Sequence, residues 1–240
     1  MPEIDSRLPR YQRLRDEIAA EIAAHVWKPG EAIPSETDLA ASHGVALGTV
    51  RRAIDVLAAD GLVERVQGRG TFVRRPSFDR SLMRFLRLQG GAPGTVPQSR
   101  ILIRREEQAE DEVAAALGLE RGAPVIYFLR QRLVDGEVRL VEEIWLSGAL
   151  FAPLLVLDVA DFGDLLYPLY EDVCGLSVAS ADETLTVGTI PPALAPSLKL
   201  DPGQPVVVIE RLARGYDGRP LEWRRSRAPA GTFRYSAHIR

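Results

Sequence analysis

The strongest constraint on the fold is a series of three helical patterns near the N-terminus, each ended by glycine. The first lies between Tyr11 and Trp27, where apolar residues recur every fourth position and acidic residues turn away. These apolar residues are Leu14, Ile18, Ile22 and Val26. The spacing predicts an amphipathic helix that ends at Lys28-Pro29-Gly30.

A second, shorter helix is predicted in IPSETDLA. Ser35 is in position to cap its N-terminus, with Asp38 three residues later in the capping-box position. Leu39 is the expected buried anchor, and Gly44 ends the helix.

The third helix is predicted from about Thr49 to Asp60 and is closed by Gly61. Its apolar residues recur at spacings of three and four, while Arg51, Arg52 and Asp55 point outward. The apolar set is Val50, Ala53, Ile54 and Leu57.

Two short strands are expected next, in LVERVQGRGTFV, around the glycine-rich turn Gln67-Gly68-Arg69-Gly70. Glycines allow such a turn to bring its backbone close to another surface. Three helices followed by this wing have the order of a winged helix-turn-helix, in which the third helix enters the major groove of DNA. Arginines cluster at the wing and its exit: Arg65, Arg69, Arg74 and Arg75.

Composition by itself does not point to DNA. The 240 residues carry a formal net charge of -3, and residues 1–76 hold 11 basic and 11 acidic side chains. The argument for DNA therefore depends on where the arginines lie. The length favours two domains. No apolar run is long enough to span a bilayer, so we expect a cytoplasmic, nucleoid-associated protein without a membrane partner.

The sequence offers no metal or cofactor site. Cys174 is the only cysteine, and the three histidines have no metal-ligand spacing. Cys174 is interpreted as a small buried hydrophobic residue, with a reactive thiol as the alternative.

The residue motifs of the N-terminal segment indicate a protein family more specifically than the order of its helices and strands does. PG-x-x-IPSE-x-x-LA followed by TVRRAIDVLAADGLVERVQGRGTFV resembles the GntR family of bacterial regulators over residues 9–75. The resemblance implies operator contacts after the PSE motif, at the start of the third helix and in the wing. By position these are Ser35, Thr37, Thr49, Arg51, Gln67, Gly68 and Arg69, and the neighbouring Arg52 and Gly70 join the candidates.

The pattern departs from the family at VALGTV, where VSRxTV is common. Ala46 and Leu47 replace a helix-capping serine and a DNA-binding arginine, so the resemblance does not transfer an operator sequence. The alternative for this segment is a protein-interaction module with ordinary surface arginines. Arg74 and Arg75 have the further alternative of being solvated linker residues.

The C-terminal part contains an internal repeat. LGLERGAPVIYFLRQRLVDG at Leu117 is echoed by LKLDPGQPVVVIERLARGYDG at Leu198, at a constant offset of 81. Each copy follows a helical stretch, Ala109 to Leu117 and Ala193 to Leu198, and leads into a hairpin. Two such units predict an antiparallel sheet with helices on one face.

Strand alternation places two arginines on one face of the first hairpin. Arg130 and Arg132 lie with Phe128 and Val134, while the other face carries Tyr127, Leu129, Gln131 and Leu133. A three-residue loop at Asp135-Gly136-Glu137 would set Arg130 opposite Glu142, whereas a two-residue loop would set it opposite Val141. The arginines either pair with Glu142 and neighbouring carboxylates across the sheet or line a ligand site.

Residues from about 98 to 239 resemble the effector-binding domain of the HutC subfamily of GntR regulators, which has a chorismate-lyase-like fold. The similar stretches are A-x-x-LGL-x-x-G-x-PV, R-x-R-x-x-x-DG, VEE and DGRPLEWRRSR. The resemblance implies an effector pocket lined by Ser99, Arg130, Arg132, Glu142 and Glu222, with Tyr235 a further candidate.

Arginine forks suit carboxylate or phosphate groups, and glutamates suit hydroxyl or amine donors, so the implied effector is a small anionic or polyhydroxy molecule. Leu165 stands where sugar-phosphate-binding members often have serine, which makes a sugar phosphate the less favoured effector.

The expected architecture is α+β: a winged helix-turn-helix at residues 1–75, a linker at 76–97, and a UTRA-like effector-binding and dimerisation domain at 98–240. The function expected is a homodimeric regulator, most simply a repressor released from an inverted-repeat operator by a small-molecule effector. One alternative is a regulator whose C-terminal domain only dimerises. Another is an enzyme that uses Glu142 or Glu183, although the sequence shows no nucleophile-base pair, metal set or phosphate loop.

Overall fold

The computed structural model describes residues 8–74 and 97–233. These residues form two compact units, of which the first consists of residues 8–74 with the short segments Ser177–Ser180 and Arg214–Arg219. The predicted linker, residues 76–97, lies outside the described residues except for Pro97. None of the described helices is both long and apolar enough to cross a membrane.

The first unit has the predicted order of three helices and a two-stranded wing. Its elements are α1 (Arg10–Ala23), α2 (Glu36–His43), α3 (Leu47–Ala59), β1 (Val63–Val66) and β2 (Gly70–Val73). The two strands pair antiparallel, with Val63 opposite Val73 and Val66 opposite Gly70. The apolar faces of the three helices form its core.

The first helix ends earlier than its periodicity predicts. Leu14, Ile18 and Ile22 are buried, but α1 ends at Ala23 and Val26 is 58% exposed. His25 has a φ of 57° and the backbone N–H of Val26 donates to the carbonyl of Glu21 at 3.0 Å. This left-handed closure ends the helix before Lys28-Pro29-Gly30, so the prediction for Val26 was wrong.

The second helix starts and ends as predicted. The hydroxyl of Ser35 accepts the backbone N–H of Asp38 at 3.2 Å and donates to its carboxylate at 2.6 Å. Leu39 is buried, and Gly44 closes the helix at a φ of 60°. The third helix begins at Leu47, two residues before the predicted Thr49, and its cap residue Ala46 makes no side-chain hydrogen bond.

The second unit is built on a six-stranded antiparallel sheet of order β3-β4-β5-β8-β7-β6. The strands are β3 (Gln98–Gln108), β4 (Pro124–Val134), β5 (Glu137–Ser147), β6 (Val178–Thr189), β7 (Pro205–Gly215) and β8 (Pro220–Pro229). The helices are α4 (Asp111–Leu117), α5 (Gly148–Phe151), α6 (Pro153–Val156), the 3-10 helix η1 (Val159–Phe162), α7 (Leu166–Cys174) and α8 (Ala195–Leu198).

The sequence repeat is also a repeat of backbone hydrogen bonds. The N–H of Ala109 donates to the carbonyl of Ala123 at 2.9 Å, and that of Ile190 donates to Gln204 at 2.9 Å, which is the same bond displaced by 81 residues. The sheet order reflects this duplication, because β3, β4 and β5 form one half and β6, β7 and β8 the other.

Helices cover both faces of the sheet, whereas the repeat predicts helices on one face. Apolar residues of α4 and α8 pack with Tyr127, Leu129 and Trp223. Against the opposite face, Phe162 packs on Phe128 with ring centroids 5.5 Å apart, and Tyr170 of α7 bonds to Glu222. The added layer comes from the segment between β5 and β6, which has no counterpart in the first half and so escapes a prediction based on the repeat.

A bulge determines the register of the first hairpin. The turn has two residues, Asp135 and Gly136, with φ angles of 53° and 76° that suit a tight hairpin turn. Arg130 nevertheless pairs with Glu142, because the register shifts beyond Leu133 and leaves Arg139 as an extra residue on β5. The prediction that a two-residue loop would place Arg130 opposite Val141 was therefore wrong.

Candidate functional site

Most of the residues expected to contact DNA are exposed on the first unit. They lie at the start of α2, on α3 and in the turn between β1 and β2. The exposed residues are Ser35, Thr37, Arg51, Arg52, Gln67, Gly68, Arg69 and Gly70, whereas Thr49 is half-buried. Their roles in DNA binding remain predictions.

A single carboxylate connects α2, α3 and β1. Oε2 of Glu36 on α2 accepts a hydrogen bond from Nε of Arg51 on α3 at 2.8 Å. Its other oxygen, Oε1, lies 3.4 Å from Nη2 of Arg65 on β1. Arg65 also pairs with Asp55 at 2.5 Å. The Arg51 side chain is 61% exposed, so these surface pairs contribute little stability and are open to exchange with phosphate oxygens.

Two other arginines rest on aromatic rings. The guanidinium of Arg52 lies 4.2 Å from the ring centroid of Tyr11, and that of Arg69 lies 5.7 Å from the ring centroid of Phe72. The side chain of Arg69 therefore lies in the exposed turn, and its contact with Phe72 of β2 helps to orient it. Of the remaining arginines predicted near the wing, Arg74 is exposed and Arg75 lies outside the described residues.

The second unit contains a buried cluster of arginines and glutamates on the sheet face that α7 covers. Arg130 is 2% exposed and Glu142 is fully buried. The Nε of Arg130 donates to Oε2 of Glu142 at 2.6 Å, and Nη2 lies 2.5 Å from the same oxygen. The paired-arginine alternative raised by the sequence therefore holds for Arg130.

Arg224 extends this cluster to a second buried glutamate. Its Nη1 lies 3.3 Å from Oε1 of Glu142, and its Nη2 donates to Oε2 of Glu222 at 2.7 Å. The hydroxyls of Tyr167 and Tyr170 donate to Glu222 at 3.1 and 2.7 Å. Both oxygens of Glu222 are therefore occupied by protein donors.

Glu142 is held as an anion despite its burial. Burial by itself would raise the pKa of its carboxyl, but Arg130, Arg224 and Arg132 oppose that effect and lower the pKa to about 2. Burial, followed by the charge of Glu222, raises the pKa of Tyr170 well above its ordinary value. The tyrosine hydroxyls therefore stay protonated and act as donors.

Arg132 differs from the other arginines of the cluster because no carboxylate forms a salt bridge with it among the described residues. Its side chain is fully buried, and Nη1 donates to the backbone carbonyl of Asp164. Its Nε and Nη2 are buried without a hydrogen-bond partner in the described part of the chain. Burial and the neighbouring Arg130 lower the pKa of Arg132 to about 10, so the group is still charged at neutral pH.

Ser99 lies directly beside this arginine. The two residues are cross-strand partners on β3 and β4, and the N–H of Ser99 donates to the carboxylate of Asp164 at 2.6 Å. The Ser99 hydroxyl and Nη1 of Arg130 are also buried without a hydrogen-bond partner in the described residues. The structure thus brings Ser99 and Arg132 together and leaves polar atoms unsatisfied on three of the predicted effector residues.

Several polar residues of the site were missed from the sequence. They are Asp164, Tyr167, Tyr170, Arg211 and Arg224. Strand alternation from Glu222 to Ser226 could have identified Arg224, because every second residue of β8 shares a face. The repeat offset of 81 could have identified Arg211, because it is the counterpart of Arg130 in the second copy. The Nε of Arg211 donates a hydrogen bond to the carboxylate of Glu183 at 2.6 Å.

The remaining candidates are placed as follows. Tyr235 lies outside the described residues. Leu165 precedes α7 as its cap residue and makes no side-chain cap bond. Cys174 is half-buried, and burial raises the pKa of its thiol. Within residues 8–74 and 97–233, no three or more histidine, cysteine or acidic side chains are grouped as metal ligands would be.

An exposed winged helix-turn-helix followed by a separate sheet unit with a buried arginine cluster is the architecture of a DNA-binding regulator with a ligand-binding domain. Comparison with protein families agrees: residues 10–73 match the gntR family of bacterial regulatory proteins, and residues 92–234 match the UTRA domain. The chain belongs to the gntR family and carries a UTRA domain. It is a transcription regulator and not an enzyme.

Relatives and solved structures are consistent with this assignment. The regulator SmoD of Agrobacterium fabrum is 28% identical over 92% of both chains, and the repressor NagR of Bacillus subtilis is 25% identical over 92% of this chain and 90% of its own. A structure described as the ligand-binding domain of a GntR-family regulator from Bordetella bronchiseptica is 32% identical, with a TM-score of 0.54. It covers 60% of this chain and 92% of its own.

Proposed function

We propose that the protein is a homodimeric repressor, bound to an inverted-repeat operator and released by a small anionic effector that occupies the Arg132 site. The observation that carries this proposal is the unpaired fork of Arg132. Its Nε and Nη2 form one edge of the guanidinium and are buried without a partner among the described residues. A carboxylate or phosphate accepts two parallel hydrogen bonds from such an edge.

The charge of the cluster supports an anion. Arg130, Arg211 and Arg224 each contact a glutamate: Glu142, Glu183 and Glu222, respectively. Arg132 is the fourth arginine and forms no such pair in the described residues. A buried guanidinium without a salt bridge is costly, so an anion that binds there gains both charge neutralisation and hydrogen bonds.

The predicted effector residues divide into two roles. Ser99, Arg130 and Arg132 have unsatisfied donors and bind the anionic group. Glu142 and Glu222 have both oxygens occupied by protein donors, so they hold Arg130 and Arg224 in place instead of binding the ligand directly. This division differs from the resemblance, which implies that all five residues line the pocket.

For DNA, the supporting observation is the exposure of α3 and the turn of the wing. Arg51 and Arg69 stand on these two elements, and the surface carboxylate Glu36 holds Arg51 in the free protein. A helix in the major groove with a wing at the backbone would bring both arginines to the DNA. NagR and the fructoselysine operon protein of Escherichia coli are both named repressors, which favours repression here. The protein would then act in the cytoplasm, on the nucleoid.

Dimerisation is proposed through the edge of the sheet. β6 is an edge strand, and most of its residues are exposed, including Leu185 at 45% and Val187 at 77%. Long apolar edge strands pair with other chains unless they are protected. A second copy on this edge would present two recognition helices to an inverted repeat. Sedimentation of the Val187→Lys variant as a monomer, with the wild type as a dimer, is the expected result.

Thermal denaturation of the full chain with a panel of monocarboxylates and sugar phosphates tests the effector site. A ligand that binds only the folded state at 100 times its Kd adds about 2.7 kcal/mol of stability. We expect at least one anion to raise the Tm of the wild type and to leave that of Arg132→Met unchanged. An equal shift in the variant would place the pocket elsewhere.

Calorimetry with that anion, with and without a duplex enriched by the protein from a randomised library, tests release. Linkage requires that DNA weaken anion binding by the same factor by which the anion weakens DNA binding, about 5–150-fold for typical coupling. Equal anion affinities in the two titrations would contradict the proposed release.

A regulator whose second unit only dimerises is the competing function. The closed chain of contacts from Arg130 through Glu142 and Arg224 to Glu222 favours it, because this chain needs no ligand. The two functions differ at Arg132. A purely structural cluster predicts that no anion in the panel shifts the Tm through this residue.

A further inference from the structure

An exposed leucine stands at the start of the helix expected to read DNA. Leu47 is the first residue of α3 and is 38% exposed, whereas Val50, Ile54 and Leu57 of the same helix are fully buried. Arg51 lies four residues further on, so the two side chains are neighbours on the helix surface. Leu47 is therefore an apolar side chain at the border between the core and the surface that carries Arg51.

The residues on either side of Leu47 leave space for close approach. Ala46 is exposed and makes no side-chain cap bond, and a Cβ added at Gly48 would meet no atom within 4 Å. Ala46, Leu47 and Gly48 thus form a small apolar surface at the start of α3, with Arg51 at its border. Hydrogen-bonding readout of a base edge is not available to these three side chains.

One group in the major groove matches this chemistry. Thymine carries a C5 methyl there, and apolar side chains discriminate it by direct contact. We propose that Leu47 reads a thymine methyl in each half-site of the operator and is a specificity-determining residue of the protein. The inference rests on the proposed DNA interface, in which α3 enters the major groove.

The test uses a duplex enriched by the full-length wild type from a randomised library. Each thymine of one half-site is replaced in turn by deoxyuridine, which removes the methyl and retains the hydrogen-bonding groups. We expect one position per half-site at which the replacement weakens wild-type binding about fourfold, the effect of losing one buried methyl-sized group. Leu47→Ala should bind the thymine and deoxyuridine duplexes equally.

Two variants serve as controls. Leu47→Met keeps an apolar side chain and should retain sensitivity to deoxyuridine at the same position. Val156→Ala, at an apolar residue of α6 that is 88% exposed, should behave as the wild type. Unchanged Tm values for Leu47→Ala would show that the loss does not come from unfolding.

Three results would overturn the inference. The wild type would show no thymine at which deoxyuridine weakens binding, or Leu47→Ala would keep the wild-type sensitivity. Alternatively, the wild type would enrich no duplex at all, and that result would reject the proposed DNA interface together with the inference.

Discussion

Arginine plays opposite parts in the two units. On the first unit, Arg51 and Arg65 share the surface carboxylate Glu36, and their side chains are 61% and 44% exposed. In the second unit, Arg130 and Arg132 are almost entirely removed from solvent. The same side chain is thus exposed and weakly held in one place, and buried and fixed by neighbouring groups in the other.

The two environments differ in how much an arginine contributes to stability. Exposed ion pairs contribute about 0–1 kcal/mol because water and salt compete with them. A buried arginine has lost its hydration, so its partner determines whether it stabilises or destabilises the fold. Arg130 has Glu142, whereas Arg132 has only a backbone carbonyl in the described residues.

Substitution by methionine should change the free energy of unfolding very differently at these two buried arginines. Arg130→Met should destabilise the second unit by about 3–5 kcal/mol, because it leaves Glu142 without its closest partner. Arg132→Met, the matched control, should change the stability by less than about 1 kcal/mol, because it also removes a buried charge with two unsatisfied donors and no salt bridge among the described residues. Urea unfolding in a Trp27→Phe background, in which fluorescence comes only from Trp145 and Trp223 of the second unit, measures both. Equal losses would show that Arg132 is paired.

Acid should reveal the anionic state of Glu142. Its folded pKa of about 2 lies below the ordinary value of 4.5, so its stabilising effect is complete above pH 4.5 and is lost as pH falls toward 2. The difference in unfolding free energy between wild type and Glu142→Gln should therefore be largest above pH 5 and decrease below it. A difference that does not depend on pH between 5 and 2 would mean that Glu142 is not held as an anion.

On the first unit, Arg51→Ala and Arg69→Ala should both weaken DNA binding, but in different ways. A helix arginine that contacts a base contributes about 1–3 kcal/mol of discrimination, so Arg51→Ala should mainly lose preference for the enriched duplex. Arg69→Ala should lose nonspecific affinity and reduce the salt slope by about one. Titrations on enriched and random duplexes over a range of salt measure both, and wild-type binding by either variant would reject its assignment.

The smallest effect is expected at the surface carboxylate. Glu36→Gln should change the stability by less than about 1 kcal/mol, since Arg51 and Arg65 remain solvated without it. It should also strengthen nonspecific DNA binding, because the two arginines no longer need to exchange a carboxylate for phosphate. A loss of several kcal/mol, comparable with Arg130→Met, would erase the contrast between the two units.

Local signals were sufficient for the first unit, where side-chain spacing and capping determine each element. Ser35 and Gly44 delimit α2 through contacts within a few residues of themselves. The exception is the end of α1. The sequence predicted that Lys28-Pro29-Gly30 would end the helix, but the left-handed conformation of His25 ends it earlier. Any residue other than glycine in that conformation is uncommon, so spacing does not predict it.

The site in the second unit was only partly predictable. The family resemblance predicted that one pocket would contain Ser99, Arg130, Arg132, Glu142 and Glu222. The internal repeat made Arg211 the counterpart of Arg130. Arg224 could have been found by strand alternation. Tyr167 and Tyr170 could not, since they come from a helix inserted between β5 and β6.

The amino-acid sequence is sufficient to predict the order of helices and wing, the duplication of helix and hairpin, and the face on which Arg130 and Arg132 lie. These features follow from periodicity, capping and turn residues that act over short distances. Contacts between distant parts of the chain bring Arg130 to Glu142 and leave Nε and Nη2 of Arg132 without a partner among the described residues. A bulge at Arg139 shifts the hairpin by one residue, and the partners arrive from strands and a helix distant in the chain. A one-residue shift of register changes every cross-strand partner, and no local pattern on either strand determines it.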